Sequence, residues 1–170
     1  MARLEFLISG CGKAAEIHVP HIKKYGKLVA ACDPDEEKGM AFAKKHGCEY
    51  YYDILHFIDS MNSVDVAVIC SPNGYHYLDA SFALRRSFNV LVEKPMTLSV
   101  NSANEIMALA KSNHMQLFTV MQNRFNPPIV ALKKALDLKK LGRIYSVHQS
   151  LYRFTYLVFW SAPESKSGMQ

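Results

Sequence analysis

The chain has 170 residues, of which 49% are hydrophobic and 21% are charged, and its formal net charge at pH 7 is +5. This length and composition predict one globular domain with a proper core and argue against disorder before the tail. The lysines fall in pairs such as Lys23-Lys24 and Lys133-Lys134, without interleaved aromatic residues. The charge is therefore typical of solvated helix faces, and it suits an anionic nucleotide or sugar-nucleotide ligand better than nucleic acid.

The four cysteines, Cys11, Cys32, Cys48 and Cys70, form no CxxC pair and no metal-ligand spacing. We therefore expect reduced, mostly buried thiols and no metal site. The N-terminal apolar run is too short for a signal peptide, and no stretch reaches the ~18 apolar residues of a membrane span. These observations predict a cytoplasmic enzyme that does not bind membranes.

The first chemical signal is the segment LEFLISGCGKAA, in which an apolar strand from Leu4 runs into Gly10, Gly12 and Ala15. Gly10 allows a tight turn, Gly12 lets the backbone approach a pyrophosphate, and Ala15 lets the following helix pack closely on the strand. The free N–H groups of that helix would bind the anion, and Lys13 would add charge. Glycines after a strand are also ordinary turn formers, so the segment alone leaves that alternative open.

The residues 13–25 are predicted to form a helix that follows this turn. Its apolar residues available to face the sheet are Ala14, Ile17 and Ile22. Pro20 predicts a kink or a restart between His18 and His21, because proline removes a helical hydrogen bond. With no carboxylate or cysteine near them in the sequence, the two histidines are expected to be polar helix positions and not ligands.

The second strand, KLVAACDPD, ends in Asp33, at the distance from Gly12 that is typical of a carboxylate that binds the adenosine ribose. Such a carboxylate accepts hydrogen bonds from the ribose hydroxyls and repels the extra phosphate of NADP. Pro34 and Asp35 follow, with no basic residue at either position, so the pattern favours NAD over NADP. The same three residues are also compatible with a turn and a helix N-cap.

Strands and helices alternate along the rest of the chain, which predicts an α/β fold with a Rossmann doubly wound parallel sheet. The further predicted strands are 49–52, 64–70, 89–92, 116–121 and 143–150. The further predicted helices are 35–46, 53–61, 77–87 and 99–113, with Gly47 as the C-cap of the first and Asp53 as the N-cap of the second. The helix 99–113 has an apolar face of Ala103, Ile106, Met107 and Ala110. A last helix begins at Asn126-Pro127, buries Ile129, Leu132 and Leu136, and stops at Gly142. We predict a dinucleotide-binding domain over 1–125, a connecting helix and strand over 126–150, and an atypical tail over 151–170.

Polar residues follow three of the strands, at the sheet edge where open α/β folds bind ligands. They are Ser71, Pro72, Asn73 and His76 after one strand, Glu93, Lys94 and Pro95 after the next, and Gln122, Asn123 and Arg124 after the last. A partly desolvated Lys94 near a cofactor would exchange a proton with a substrate hydroxyl, and Arg124 can grip a carboxylate or phosphate. A simple turn, a surface Glu-Lys pair and an exposed arginine are the structural alternatives.

The chain resembles the Gfo/Idh/MocA oxidoreductases over residues 1 to about 150. The resemblance rests on five motifs in this order: GCGKAA, Asp33, SPNGYH, EKP and QNRF. The resemblance implies a Rossmann domain that binds NAD or NADP, an α/β substrate domain, and Lys94 as the catalytic residue. The implied cofactor-binding residues are Gly10, Cys11, Gly12, Lys13, Ala14, Ala15, Asp33, Ser71, Pro72, Asn73, His76, Glu93, Lys94, Pro95, Gln122 and Asn123. The implied substrate-binding residues are Lys94, Asn123 and Arg124.

The segment QNRFNPPIVALKKAL further resembles the branch that oxidises nucleotide-linked amino-sugar uronates for polysaccharide biosynthesis, although inositol, glucose and other sugar substrates stay open. Family members are much longer and carry a DxGxHxxD-like helix that this chain lacks. We expect this chain to be the cofactor half of a sugar or nucleotide-sugar dehydrogenase and to be inactive alone. It could be a fragment, a frameshifted product or a minimal form, and the sequence leaves these alternatives open. A homo-oligomer is expected if the substrate domain is supplied, with self-association through 143–160. The alternatives are a non-catalytic NAD-binding protein and a partner-binding remnant.

Overall fold

The computed structural model describes residues 3–60 and 62–146. The chain divides after Arg124 into two compact units, residues 1–124 and residues 125–170. No helix in the described ranges has both the length and the apolar character needed to cross a bilayer.

The first unit is built on a six-stranded sheet in which every neighbouring pair is parallel, in the order β3-β2-β1-β4-β5-β6. Its strands are β1 (Leu4–Ser9), β2 (Gly26–Cys32), β3 (Glu49–Tyr51), β4 (Val66–Ile69), β5 (Asn89–Val92) and β6 (Leu117–Thr119). Its helices are α1 (Lys13–Tyr25), α2 (Glu36–His46), α3 (Ile54–Asp59), α4 (His76–Arg85) and α5 (Val100–Ser112). The predicted Rossmann doubly wound α/β fold is confirmed, because this is the strand order of that fold.

Two apolar clusters cover the two faces of the sheet. Leu7 and Ile69 belong to one cluster, whereas their chain neighbours Ile8 and Val68 belong to the other. Successive side chains of a strand point to opposite faces, so a strand covered on both sides must be apolar at every position. This requirement explains the continuous apolar runs of β1 and β4. The strand order reverses between these two neighbours, and such a reversal is where doubly wound sheets bind ligands.

Helix α1 differs from its prediction in two respects. It runs without a break through Pro20, so the restart expected between His18 and His21 is absent. Ile17 does not face the sheet and is 68% exposed. Ile22 is buried as predicted, Ala14 is half-buried, and the other buried positions are Ala15 and Val19, which follow a helical spacing of three to four residues.

The predicted caps of the first unit are present. Asp35 accepts a hydrogen bond from the backbone N–H of Lys38, and Asp53 accepts one from His56. Gly47 takes the left-handed conformation at the end of α2. In α5, Ile106 and Ala110 are buried, but Met107 is 48% exposed and does not belong to the buried face.

The described part of the second unit contains helix α6 (Pro127–Asp137), with Asn126 at its N-cap. The predicted buried stripe is wrong, since Leu132 and Leu136 are exposed and Ile129 is half-buried. Within residues 125–146 the stripe meets no other helix or strand of its unit, so nothing there removes it from water.

The end of α6 and the strand predicted after it also differ from expectation. The helix ends at Asp137, before Gly142, because Lys139 takes a left-handed φ of 54° that breaks the helical repeat. Residues 143–146 form no strand, and the rest of the predicted strand 143–150 lies outside the described residues, as do the tail 151–170 and most of the segment expected to self-associate.

Candidate functional site

A cavity of about 590 Å³ opens at the carboxyl edge of the sheet, between the ends of β1, β2, β3 and β4. Its polar lining includes Ser9, Asp33, Lys38, Ser71 and Asp79. Its apolar lining includes Ile54, Leu55, Pro72, Leu78 and Phe82, together with Gly10 and Gly12. A mostly apolar cavity with a few polar groups, at the reversal of the strand order, is the usual form of a small-molecule or cofactor site.

The two glycines of the first turn serve different needs. Gly10 has a φ of +90°, and a Cβ there would lie 2.5 Å from the backbone oxygen of Cys70. Gly12 has an ordinary φ of −87°, and a Cβ there would meet no protein atom within 4 Å. Gly10 is therefore required by the fold, whereas the space in front of Gly12 is open to a ligand.

The start of α1 has features that favour an anion. Gly12 occupies the N-cap position and provides no side-chain hydrogen bond, so the first N–H groups of the helix have no side-chain cap. Lys13 is exposed at this end, Ala14 is half-buried, and Ala15 is fully buried against the sheet. Ala15 thus supports close packing, as predicted, but its side chain is not available to a cofactor.

Asp33 is almost fully buried at the end of β2, with 4% of its surface exposed. Its Oδ2 accepts the backbone N–H of Cys11 at 2.8 Å and the ammonium of Lys38 at 2.6 Å, and its Oδ1 accepts the backbone N–H of Asp35 at 3.0 Å. Cys11 was expected to contact the cofactor, but Asp33 already holds its N–H group. The carboxylate therefore also fixes the shape of the turn that carries the glycines.

Burial raises the pKa of Asp33 more than any other single effect does. The hydrogen bonds from Lys38, Cys11 and Asp35 together outweigh it and hold the pKa below its usual value. Asp33 is therefore ionised at neutral pH. Lys38 was missed by sequence reasoning, although its place in the first turn of the helix after Asp33 was a signal that it faces the carboxylate.

The cysteines near this site are reduced, unpaired thiols, as predicted. Cys11 and Cys32 are buried, and Cys48 and Cys70 are partly buried. Burial raises the pKa of Cys11 and of Cys70 to about 12, and that of Cys48 to about 11. These thiols are therefore neutral at physiological pH and behave as small apolar side chains.

The loop after β4 places Ser71 and Pro72 in the cavity lining, whereas Asn73 is exposed in a short 3-10 turn. The Ser71 Oγ is buried and makes no hydrogen bond of good geometry among the described residues, although it lies close enough to the Asp79 carboxylate to lower the pKa of that group. A buried hydroxyl without a well-formed hydrogen bond costs free energy, so Ser71 has hydrogen-bonding capacity to offer a ligand.

His76 was predicted to bind the cofactor, but its side chain is only 1% exposed and serves the loops instead. Its Nδ1 lies 2.7 Å from the carbonyl oxygen of Pro95, and its Nε2 lies 2.8 Å from that of Ser71. Both partners are acceptors, so a neutral ring donates to one of them and an imidazolium to both. His76 thus ties the loop after β4 to the loop after β5.

Glu93 and Lys94 follow β5 at the same edge of the sheet, and Pro95 comes next through a cis peptide bond. Glu93 Oε1 accepts a hydrogen bond from His18 Nε2 at 2.9 Å, and Oε2 accepts the backbone N–H of Lys94 at 3.2 Å. His18, expected to be a polar helix position, thus pairs with a carboxylate that is distant in the sequence. Its spacing of three residues from Ala15 and four from Ile22 was the signal that it borders the buried face of α1.

Lys94 is exposed, not partly desolvated as expected, and it does not line the cavity. Gln122, Asn123 and Arg124 lie in a 3-10 turn after β6 and are exposed. They stand at the predicted edge of the sheet, but they do not line the cavity either. The structure thus brings the glycine turn, Asp33 and Ser71 together in one cavity.

Asp79 is a cavity residue that sequence reasoning missed. Its Oδ2 accepts a hydrogen bond from the Ser9 hydroxyl at 2.7 Å, and burial raises its pKa above the usual value. Asp79 follows buried His76 by three residues and precedes buried Ala83 by four, so helical spacing places it on the inner face of α4. A carboxylate here contributes an acceptor and a partly buried charge to the cavity.

These features fit a dinucleotide. The open space before Gly12 and the uncapped start of α1 suit a pyrophosphate, and the buried Asp33 carboxylate stands where a ribose is bound in this fold. The Ser71 hydroxyl and the apolar side of the cavity would complete the contacts.

Comparisons with known proteins agree with this geometry. The WlbA dehydrogenase from Chromobacterium violaceum, solved in complex with NADH and UDP-GlcNAcA, has a TM-score of 0.81 and 27% identity to this chain, and the match covers 85% of this chain and 43% of that one. The oxidoreductase YhhX of Escherichia coli is 34% identical over 60% of this chain and 32% of its own length. The NADP-linked scyllo-inositol 2-dehydrogenase IolU of Bacillus subtilis is 29% identical over 69% of this chain and 35% of its own length.

The chain thus spans about a third of the length of these two curated relatives. Residues 4–121 match the family model GFO_IDH_MocA, described as an oxidoreductase family with an NAD-binding Rossmann fold. That match covers more than half of the chain and includes the glycine turn, Asp33 and the EKP segment. The chain belongs to the GFO_IDH_MocA family of oxidoreductases.

Proposed function

We propose that this chain binds a nicotinamide dinucleotide in the cavity and is the cofactor half of a dehydrogenase that oxidises a hydroxyl of a sugar or nucleotide sugar. The observation that carries the proposal is the contrast between the two glycines. Gly10 is required by the backbone around it, whereas no protein atom requires the bare backbone at Gly12. A ligand that approaches the backbone there accounts for a glycine at that position.

The pyrophosphate would lie against Gly12 and the first N–H groups of α1, where the helix dipole favours an anion. Lys13 is exposed at the same end and would add a positive charge. Ser71, which lines the cavity, would donate its hydroxyl to the ligand. The apolar lining around Ile54 and Leu55 would hold the adenine ring.

We infer a preference for NAD over NADP from Asp33. Its carboxylate is ionised and fixed, so it can accept from ribose hydroxyls and would repel a 2′-phosphate. The family comparisons include both cofactors, since WlbA was solved with NADH and IolU uses NADP. The preference therefore rests on this residue and not on the family.

We propose that Lys94 takes the proton of the substrate hydroxyl. When bound, the nicotinamide supplies the acceptor for the hydride that leaves the same carbon. The Lys94 backbone is held by Glu93, whose carboxylate is in turn held by His18. Gln122, Asn123 and Arg124 are exposed at the same edge, where Asn123 and Arg124 can contact a sugar or its phosphates.

A nucleotide-linked sugar uronate is the more specific substrate class that we propose. The WlbA structure supports it, because that protein was solved with UDP-GlcNAcA. Inositols and glucosides are other substrate classes among the matched proteins. A homo-oligomer and self-association through 143–160 stay predictions.

Turnover tests this assignment. We expect the 170-residue chain alone to bind NADH without turnover, because hydride transfer needs the sugar carbon held within about 3.5 Å of the nicotinamide and Lys94 is exposed here. Fused to the substrate-binding part of a family relative, the chain should reduce NAD in the presence of the sugar. Lys94→Met in that fusion should lower kcat on the order of 10²-fold and leave NADH affinity nearly intact.

The matched control is Lys111→Met, which removes an exposed lysine from α5. It should leave both kcat and NADH affinity unchanged. Normal turnover by the Lys94→Met fusion would show that this lysine does not transfer the proton.

A further inference from the structure

The ion pair between Asp33 and Lys38 bears directly on cofactor choice. The ammonium Nζ of Lys38 lies 2.6 Å from Asp33 Oδ2, and the side chains of Lys38 and Asp33 are 45% and 5% exposed. Both residues line the cavity. Among the described residues that line it, Lys38 is the one lysine or arginine. The carboxylate expected to exclude a 2′-phosphate therefore has a cation against it.

A count of acceptor positions shows that this cation also competes with a ribose. A carboxylate offers about four lone-pair positions, and here the backbone N–H of Cys11, the backbone N–H of Asp35 and the Lys38 ammonium use three of them. Two ribose hydroxyls need two positions. The two backbone donors are fixed by the turn, so Lys38 is the donor that can leave.

The structure also shows where Lys38 can go. Nearly half of its side chain is exposed, and its backbone is fixed in the first turn of α2 by the Asp35 cap. The ammonium can therefore move away from Asp33 while its stem stays at the mouth of the cavity. A phosphate on the ribose next to Asp33 would lie within reach of that ammonium.

We propose that Lys38 sets the choice between NAD and NADP in this chain, an inference that rests on the proposed cofactor site. With NAD, Lys38 leaves Asp33 so that the carboxylate can accept both ribose hydroxyls. With NADP, Lys38 binds the 2′-phosphate and offsets its repulsion from Asp33. Lys38 thus weakens the discrimination that Asp33 alone would impose, and the chain accepts both cofactors with a modest preference for NAD.

Paired binding measurements on the full 170-residue chain test this proposal. The probes are ADP-ribose and its 2′-phosphorylated form, which differ at the adenosine end and lack the nicotinamide, and calorimetry gives their dissociation constants. Lys38→Gln should weaken binding of the phosphorylated probe about tenfold or more and leave ADP-ribose binding equal or tighter, as expected for the loss of one charge-assisted hydrogen bond.

Two further variants control for charge and for folding. Lys44→Gln removes the same charge from an exposed position on the same helix and should leave the ratio of the two affinities unchanged. Lys38→Arg keeps a cation that can bind phosphate and should retain affinity for the phosphorylated probe. Melting temperatures of the four proteins identify any variant that fails to fold, and Lys38→Arg then decides the result.

The outcomes separate this inference from the proposed function. An unchanged affinity ratio in Lys38→Gln, or an equal change in Lys44→Gln, would overturn the role of Lys38 while leaving the cofactor site intact. Absence of binding of either probe to the folded wild-type chain would overturn the proposed function and this inference with it. A selective loss of the phosphorylated probe in Lys38→Gln alone would support both.

Discussion

At the scale of single residues, the site depends on atoms that have no freedom to move. Gly10 stands where β1 meets the loop after β4, and its backbone N–H donates to the carbonyl oxygen of Cys32 at 2.7 Å. Its φ of +90° belongs to the region that L side chains rarely adopt. The close approach of the two backbones at this point brings the ends of β1 and β4 together around the cavity.

Gly10→Ala should therefore destabilise the first unit. The added Cβ would lie 2.5 Å from both the Cys70 oxygen and the Ser71 nitrogen, and neither backbone atom can yield cheaply. We expect a loss of about 2 kcal/mol or more in the free energy of unfolding, measured by urea denaturation. The same substitution at Gly12 should cost little, and equal stability losses at both glycines would contradict this reading of the turn.

Asp79 carries a stability cost that depends on pH. Its pKa is raised in the folded state, chiefly by burial. Because the pKa of Asp79 is higher in the folded than in the unfolded state, its ionisation lowers the free energy of unfolding. This loss is absent below the unfolded pKa of about 3.9 and is complete once the pH has risen through the folded pKa. Ionised Asp33, whose pKa is lowered, has the opposite dependence and loses its contribution in acid.

Asp79→Asn should raise the melting temperature by about 2–4 °C at pH 7 to 8, because the amide oxygen can still accept from Ser9 without a buried charge. The gain should shrink as the pH falls toward 4, where the wild-type carboxyl becomes protonated. A melting-temperature series against pH checks this, with Asp137→Asn on an exposed residue as the control. A gain that does not depend on pH would rule out ionisation of Asp79 as the cause.

At the scale of elements, two loops at the carboxyl edge are held by single side chains. His76, at the start of α4, links the loop after β4 to the loop after β5 through two carbonyl oxygens. His18, on α1, links that helix to Glu93 at the end of β5. These contacts connect segments far apart in sequence and fix the segment Glu93-Lys94-Pro95 to the loop after β4 and to α1.

His76→Ala should destabilise the first unit by about 2–4 kcal/mol, because it leaves a cavity and removes the ring that lies between the carbonyl oxygens of Ser71 and Pro95. His21→Ala, an exposed histidine on α1, should change stability little. Both are measured by urea denaturation of the full chain. Similar values for the two variants would mean that the ring of His76 does not hold the loops.

The elements themselves follow from local signals, but the contacts between them do not. The caps Asp35 and Asp53 and the apolar runs of β1 and β4 are written in neighbouring residues, so their positions are predictable. The pairing of His18 with Glu93 depends on how α1 crosses the sheet, which no local pattern contains. The buried stripe expected in α6 failed for the same reason, since burial needs a partner surface.

At the scale of the whole molecule, the first unit has the sheet order, the cavity and the family match of a dinucleotide-binding domain. The glycine turn, Asp33 and the EKP segment could be found from the sequence because each sits where a parallel strand ends. Helical spacing hints at the positions of Lys38 and Asp79, but their contacts with Asp33 and Ser9 depend on distances that the sequence does not give. The residues of the proposed cofactor site are thus mostly visible in the sequence, whereas the charges and hydrogen bonds around them need the structure.

Titration of NADH into the full chain, followed by its fluorescence, tests the central claim most directly. The account predicts saturable binding to the wild type that NAD competes away. It also predicts loss of that binding in Gly12→Val at an unchanged melting temperature, since a side chain at position 12 meets open space and not protein. Equal NADH binding by the folded wild type and folded Gly12→Val, or none by the wild type, would contradict the claim that this cavity holds a dinucleotide.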